Sequence, residues 1–207
     1  MNKTSLVKGL LPLLFLTAIS ACGVTPQEYE NETPKMDMQT YFNGQIKAWG
    51  LFQNYREKVI KRFHVDMHGE WKGNKGTLDE HFTYSDGTTQ RRVWNLVRID
   101  EHTYSGTAGD VVGEATGVAY GHALRWKYTM ALEVDDDVYH VKFDDWMYLI
   151  DEKTVINRSV MSKLGVTLGE VILVFIKPDS TGDSTNSGRP FNMPEVSNIS
   201  HITSAIL

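Results

Sequence analysis

Apolar and polar residues alternate through most of the chain between positions 44 and 177. The clearest stretch is 124–134, where every even-numbered position is apolar: Leu124, Trp126, Tyr128, Met130, Leu132 and Val134. The residues between them are mostly polar or small. Alternation with a period of two predicts β-strands that have one buried and one solvent-facing side. The same pattern predicts strands at 154–163 and 166–177.

Short turn signals separate these strands. Gly73 and Gly87 lie in two of them, and residues 135–136 and 150–153 form two more. Strands joined by such turns predict an all-β, antiparallel up-and-down meander. Closure into a lipocalin-like β-barrel of about 8–10 strands would remove the sheet edges, so we expect a barrel over residues 44–177. A β-sandwich is the alternative, but it needs longer crossover connections.

Four glycines recur between positions 104 and 119: Gly106, Gly109, Gly113 and Gly117. Glycines within strands often mark bulges or sharp bends, which a closing sheet needs. We therefore expect this segment to be strand with bends. A flexible loop is the alternative.

The N-terminus has the features of a secretory signal. Lys3 and Lys8 precede a short apolar run at 10–19, and the motif ISAC at 19–22 places small residues before Cys22. This motif resembles the bacterial lipobox, which implies cleavage after residue 21 and lipid attachment to Cys22. Gly23 follows, where an aspartate would favour the inner membrane. The prediction is a lipoprotein of the outer membrane whose domain faces the periplasm; an ordinary secreted protein is the alternative.

Composition divides the rest of the chain. Residues 22–43 are predicted to be a lipidated tether and a short N-terminal segment, in which 23–35 has little structure of its own and 36–42 forms a short helical turn or lid. Residues 178–207 are rich in Ser, Thr, Gly and Asn and are predicted to be a disordered tail. The formal net charge of −5 argues against nucleic-acid binding, which needs a basic face.

Polar residues on apolar strand faces are candidate ligand-binding residues. A hairpin centred on Asp86 places Glu80 opposite Arg92. A four-residue turn at 150–153 would place Asp145 opposite Arg158. Such pairs either fix the strand register as buried ion pairs or offer an arginine to an anionic head group.

Aromatic residues add to this site. Trp94, Trp126 and Tyr128 are predicted to face inward, where they would pack the core or contact a ligand. Trp146 and Tyr148 have the opposite parity and are predicted to lie outside. No metal site or cofactor is predicted, and the sequence has no HExxH, GxSxG or P-loop motif.

Several motifs together resemble one family. These are the runs LDEHFTYSDG at 78–87, RVW at 92–94, GTAGDVVG at 106–113 and FDDWMY at 143–148. They are similar to the DUF3833 family of proteobacterial lipoproteins, over about residues 41–177. The resemblance implies a role near envelope lipids, because genes of this family often accompany genes for fatty-acid modification. It assigns no catalytic residue.

Three hypotheses follow. In the first, the barrel binds a fatty acyl or other lipid-like ligand in a cavity. In the second, the barrel is packed solid and acts as a structural or accessory envelope protein through its outer surface. In the third, it is a lipid-modifying enzyme that uses Glu80 or Asp145. A cavity volume distinguishes the first from the second.

Overall fold

The computed structural model describes residues 23–134 and 137–178. They form a 3-10 helix at Pro26–Tyr29, a one-turn helix α1 at Met38–Tyr41 and ten β-strands. The strands are β1 Gly44–Asn54, β2 Val59–Lys72, β3 Lys75–Tyr84, β4 Thr89–Arg98, β5 Thr103–Thr107, β6 Ala115–Tyr120, β7 Ala123–Val134, β8 Asp137–Leu149, β9 Thr154–Lys163 and β10 Val166–Ile176.

Each strand pairs antiparallel with the next, and β10 pairs with β1 to close the barrel. The closing register runs from Lys47 opposite Ile176 to Asn54 opposite Gly169. Closure satisfies the backbone groups that an open sheet would leave at its edges. The prediction of an all-β meander closed into a barrel of 8–10 strands is therefore confirmed.

The two ends of the barrel differ. At one end, Met38, Tyr41 and Phe42 are buried and close the interior. Asp37 begins α1, because its Oδ1 accepts the N–H of Thr40 at 2.7 Å. The Tyr41 hydroxyl group lies 2.8 Å from the Lys153 carbonyl oxygen. The predicted helical turn at 36–42 thus acts as the floor of the barrel.

The segment before this floor is ordered, which corrects the prediction of a tether with little structure. Tyr29 packs edge-on against His122, with 4.9 Å between ring centroids. Met36 donates its N–H to the Gly121 carbonyl at 2.6 Å. A Cβ at Gly121 would meet the Tyr29 carbonyl oxygen at 1.7 Å, so this close approach needs glycine. The chain is held to the outer wall by these contacts, which composition does not reveal. Trp146 lies outside the barrel, as predicted, and also packs on Tyr29.

The glycine-rich segment is two strands rather than one, because residues 108–114 form a loop between β5 and β6. Two of its glycines make room for an indole ring. A Cβ at Gly117 would lie 2.4 Å from the Trp126 ring, and one at Gly106 would lie 2.9 Å from it. The expectation that these glycines mark bends misses this steric role.

The predicted signal peptide, Cys22 and the predicted tail from 179 onward lie outside the described residues. Within the described ranges, no helix has the length and apolar character needed to cross a membrane.

Candidate functional site

A cavity of about 310 Å³ lies inside the barrel. Met38 and Phe42 line it at the closed end. Lys61, Tyr84 and Gln90 line it at the opposite end, where Gln90 is exposed to solvent. The mouth of the cavity is therefore at the end away from α1. Inward-facing positions of eight strands make up its wall, because side chains on a strand alternate between the two faces.

Aromatic rings form much of this wall. Trp94 contacts Trp126 edge-on at 5.7 Å and Tyr128 at 5.4 Å, measured between ring centroids. Tyr128 is stacked on Phe143 at 4.9 Å. Across the barrel, β2 and β3 supply three more rings: Phe63, Phe82 and Tyr84. Aromatic rings supply both apolar area and electron-rich faces to a ligand.

Glu80 and Arg92 face each other across β3 and β4, as the hairpin predicted. Their side chains are 11% and 12% exposed, and Arg92 Nη1 is 3.6 Å from Glu80 Oε2. Asp110, from the loop between β5 and β6, binds the other two nitrogen atoms of the guanidinium group. Its carboxylate accepts Nε at 2.9 Å and Nη2 at 2.8 Å. Burial raises the pKa of Glu80 to about 7, although Arg92 opposes that rise.

Asp145 forms a second polar cluster on β8 and β9. It is buried opposite Ser159, whose hydroxyl group donates a hydrogen bond to Asp145 Oδ1. Burial raises the pKa of Asp145 to about 7, while hydrogen bonds from Ser159 and Asn157 act to lower it. Asn157 is also buried and lines the cavity.

The predicted pair of Asp145 with Arg158 is wrong. Arg158 lies opposite Trp146, and its side chain is 57% exposed on the outer surface. There its Nε donates to Glu170 Oε2 at 2.9 Å. The cause is the turn, since Ile150 pairs with Thr154 and leaves three residues in the loop rather than four. A shift of one residue moves every side chain of a strand to the other face.

Six of the seven candidate ligand-binding residues therefore line one cavity: Glu80, Arg92, Trp94, Trp126, Tyr128 and Asp145. Arg158 does not. The sequence reasoning missed Asp110, Asn157 and Ser159. With the correct parity, Asn157 and Ser159 are polar residues on an apolar face between Val155 and Met161, which is the signal that singled out Glu80.

Two buried oxygen atoms in this wall have no hydrogen-bond partner among the described residues: Glu80 Oε2 and Asn157 Oδ1. Buried polar atoms are usually paired, so such exceptions need an explanation. The described residues contain no group of three or more His, Cys, Asp or Glu suited to a metal ion. The cavity can accept hydrogen bonds, hold a positive charge, or exchange a proton near pH 7.

Comparison with solved structures gives a neighbour of similar fold, a phycobiliprotein lyase. A search of the curated proteins finds no significant match. Among solved structures, the S-type phycobiliprotein lyase CPES from Guillardia theta has a TM-score of 0.54 and 7% identity, covering 76% of this chain and 99% of the lyase. A de novo designed fluorescence-activating β-barrel has a TM-score of 0.38 and 11% identity, covering 69% of this chain and 99% of its own.

The family assignment comes from the sequence. Residues 15–177 match the model of the family described as a protein of unknown function, DUF3833. This match includes every strand of the barrel and every residue that lines the cavity. The resemblance read from the motifs at 78–87, 106–113 and 143–148 is therefore confirmed. The chain belongs to the DUF3833 family.

Proposed function

We propose that this protein is a lipid-anchored envelope protein that binds a lipid-like ligand inside its barrel. The observation that carries the proposal is the cavity of about 310 Å³, which is lined by aromatic rings and contains buried polar groups. A packed barrel acting only through its outer surface is the competing function. Cavities for small molecules are about 300–1,000 Å³, so this one falls at the lower end of that range.

The size of the cavity limits the ligand. A volume near the lower end of the range for small-molecule cavities suits a medium-length alkyl chain. A longer chain would extend through the mouth beside Gln90.

The polar groups support a ligand rather than a packed core. An interior that only had to be filled would be more stable with apolar residues, because buried charges carry a desolvation penalty. Here Glu80, Arg92 and Asp145 lie within one cavity, and one Glu80 oxygen accepts no hydrogen bond from the described residues. A bound polar group would satisfy this oxygen.

The anchor and location rest on the sequence. The ISAC motif at 19–22 supports lipid attachment to Cys22, and Gly23 supports sorting to the outer membrane, with the barrel facing the periplasm. Several acyl chains on one residue would give stable attachment, since each buried CH₂ contributes about 0.8 kcal/mol.

Native mass spectrometry of the purified full-length chain tests ligand binding directly. We expect a co-purified small molecule that is lost from a cavity-filled variant. Val171→Phe places a ring in the cavity, because Val171 lines it from β10. Ile172→Phe is the matched control, because Ile172 is the next residue in β10 and its side chain points outward.

Loss of the bound molecule in Val171→Phe, but not in Ile172→Phe, would support binding inside the barrel. Equal ligand content in both folded variants would contradict it. Both variants need circular dichroism spectra like that of the unaltered protein. If Val171→Phe does not fold, octylamine, octanol and octanoate titrated against the unaltered chain give an independent test.

A further inference from the structure

The balance of charge in the cavity bears on which ligand it binds. We propose that the polar group of the ligand is a hydrogen-bond donor with a positive charge, such as a protonated amine, and not a carboxylate or phosphate. This inference rests on the proposed binding of a ligand in the barrel. It names the chemical class of that ligand.

Carboxylates outnumber the cations around the polar wall. Glu80, Asp145 and Asp110 supply three carboxyl groups there, and Arg92 supplies one guanidinium group, so the formal charge is +1 − 3 = −2 when all three carboxyl groups are ionised. Lys61 lines the mouth but is paired with Asp86 at 3.1 Å. An anionic head group would therefore enter a site that is already negative.

Arg92 is already engaged by two carboxylates. Its Nε and Nη2 groups donate hydrogen bonds to Asp110, and its Nη1 group forms a longer ion pair with Glu80 at 3.6 Å. A carboxylate ligand would compete with both for the guanidinium group. Drawing Arg92 away from either partner would leave a buried carboxylate without its cation, which is strongly destabilising.

Two buried acceptors in the wall could take a hydrogen bond from a ligand. Among the described residues, Glu80 Oε2 and Asn157 Oδ1 accept no hydrogen bond, and the nearest cation to Glu80 Oε2 is Arg92 Nη1 at 3.6 Å. Both side chains line the cavity. An ammonium group has three N–H donors and no acceptor, so it complements such a wall. A hydroxyl group could fill one of these positions but would leave the charge uncompensated.

The aromatic lining is suited to a cation as well. The cavity already holds two protein cations on ring faces: the Arg92 guanidinium is 5.4 Å from the Phe82 centroid, and Lys61 Nζ is 4.2 Å from the Tyr84 centroid. Trp94 and Tyr128 add further ring faces. The negative face of an aromatic ring attracts a cation, more strongly when the cation is desolvated.

Titration of the carboxyl groups gives the proposal a pH signature. Burial raises the pKa values of both Glu80 and Asp145 to about 7, so both are mostly protonated at pH 6 in the empty cavity. A cationic ligand should bind more tightly as pH rises through 7 and both become ionised. The charged and titratable groups that face these two carboxyl groups are Lys61, Tyr84, Arg92, Asp110 and Tyr128. Asp79 and Asp144 act on them from the outer sides of β3 and β8.

The test compares three probes of equal chain length. Octylamine, octanol and octanoate are short enough for the cavity, and binding to the purified full-length chain is followed at pH 8 by calorimetry and by tryptophan fluorescence, to which Trp94 and Trp126 in the cavity contribute. We expect octylamine to bind at least about tenfold more tightly than octanoate, a difference of 1.4 kcal/mol, with octanol between them. We also expect octylamine affinity to fall between pH 8 and pH 6.

Two variants refine the test. Glu80→Gln keeps the shape of the side chain and removes its charge, so the preference for octylamine over octanoate should shrink. Asp79→Asn is the matched control. Asp79 is the neighbouring residue on the outer face, where it pairs with Arg91 at 2.8 Å, and its replacement should leave the preference unchanged.

The outcomes separate this inference from the proposed function. If none of the three probes binds, ligand binding in the barrel itself is wrong. If octanoate binds as tightly as octylamine or more tightly, the barrel binds ligands but the proposed head group is wrong. Should Glu80→Gln fail to fold, the order of the three probes and the pH dependence of octylamine binding decide the question with the unaltered protein.

Discussion

Replacing Glu80 by glutamine should stabilise the barrel at alkaline pH and have a much smaller effect on its stability at pH 5. Burial raises the pKa of Glu80 from its ordinary value of 4.5 to about 7 in the folded protein. The folded state therefore binds more protons than the unfolded state between those values. Stability falls as pH rises through this window and is level above it.

The magnitude follows from the two pKa values. Their difference is roughly 2.5, and each unit corresponds to 1.36 kcal/mol, so ionised Glu80 lowers the free energy of unfolding by ~3 kcal/mol at pH 8. Glutamine has a similar shape and carries no charge to desolvate. We expect Glu80→Gln to recover most of this energy at pH 8, which corresponds to a rise in Tm of roughly 6–12 °C for a chain of this size.

Urea unfolding followed by circular dichroism at pH 5, 6, 7 and 8 measures this difference. The dependence of the unfolding free energy on urea should be the same in both proteins, so that a change in midpoint reports stability. Asp79→Asn is the control. The hydrogen bond from Arg91 lowers the pKa of Asp79, so its contribution is lost only in acid, and this variant should gain nothing at pH 8.

One result would refute the reasoning. If Glu80→Gln is less stable than the unaltered protein at pH 8, the attraction between ionised Glu80 and Arg92 exceeds the cost of burying the charge. The pKa of Glu80 would then lie below 4.5 in the folded protein, and stability would rise with pH instead of falling.

Three further predictions concern other parts of the chain. Gly117→Ala should lower the free energy of unfolding in urea by about 1–3 kcal/mol, because its methyl group would meet the Trp126 ring at 2.4 Å. Gly109→Ala is the control, since its methyl group would have no atom within 4 Å, and equal losses of stability in the two variants would contradict the steric argument. Arg158→Met should change stability by at most about 1 kcal/mol, since its partner Glu170 is on the surface; a loss of several kcal/mol would mean that Arg158 is buried. Cys22→Ser should move the protein from the membrane pellet to the soluble periplasmic fraction, and retention in the pellet after a high-salt wash would show another anchor.

The strands of the barrel could be predicted from the sequence because each has one buried and one solvent-facing side, which gives an alternation of apolar and polar residues. The hairpin at Asp86 also fixed the pairing of Glu80 with Arg92, since a tight turn of defined length leaves one register. In the structure, Thr88 donates its N–H to Asp86 Oδ1 at 2.9 Å, which supports that turn.

The register between β8 and β9 could not be predicted in the same way. Residues 150–153 contain no glycine or Asn-Gly signal, so turns of three and four residues fit equally well. Asp151 decides between them, because its Oδ1 accepts the N–H groups of Lys153 and Thr154 at 2.8 and 2.7 Å. An aspartate that accepts hydrogen bonds from nearby backbone N–H groups is common in turns, but its presence in the sequence does not determine the length of the turn.

The contact between Asp110 and Arg92 could not be predicted because the two residues are far apart along the chain. Asp110 lies in a loop 18 residues after Arg92, and no periodicity connects the two. Its approach requires the loop at 108–114 to fold back along β7, where Val112 donates its N–H to the Thr129 carbonyl at 2.8 Å. A contact of this kind arises from the closed fold and has no local pattern.

With the proposed lipid on Cys22, the ordered segment before the barrel would determine how the mouth of the cavity is oriented relative to the membrane. Pro26 is buried, and four residues span at most about 14 Å, so a lipid on Cys22 would hold the closed end of the barrel near the bilayer. The mouth beside Gln90 lies at the other end of strands about ten residues long, roughly 25 Å farther out when their tilt is included. A ligand would then enter and leave from the aqueous side of the membrane. Delivery would require a soluble carrier or a partner protein at the mouth, because molecules diffusing within the bilayer would meet only the floor formed by Met38 and Phe42.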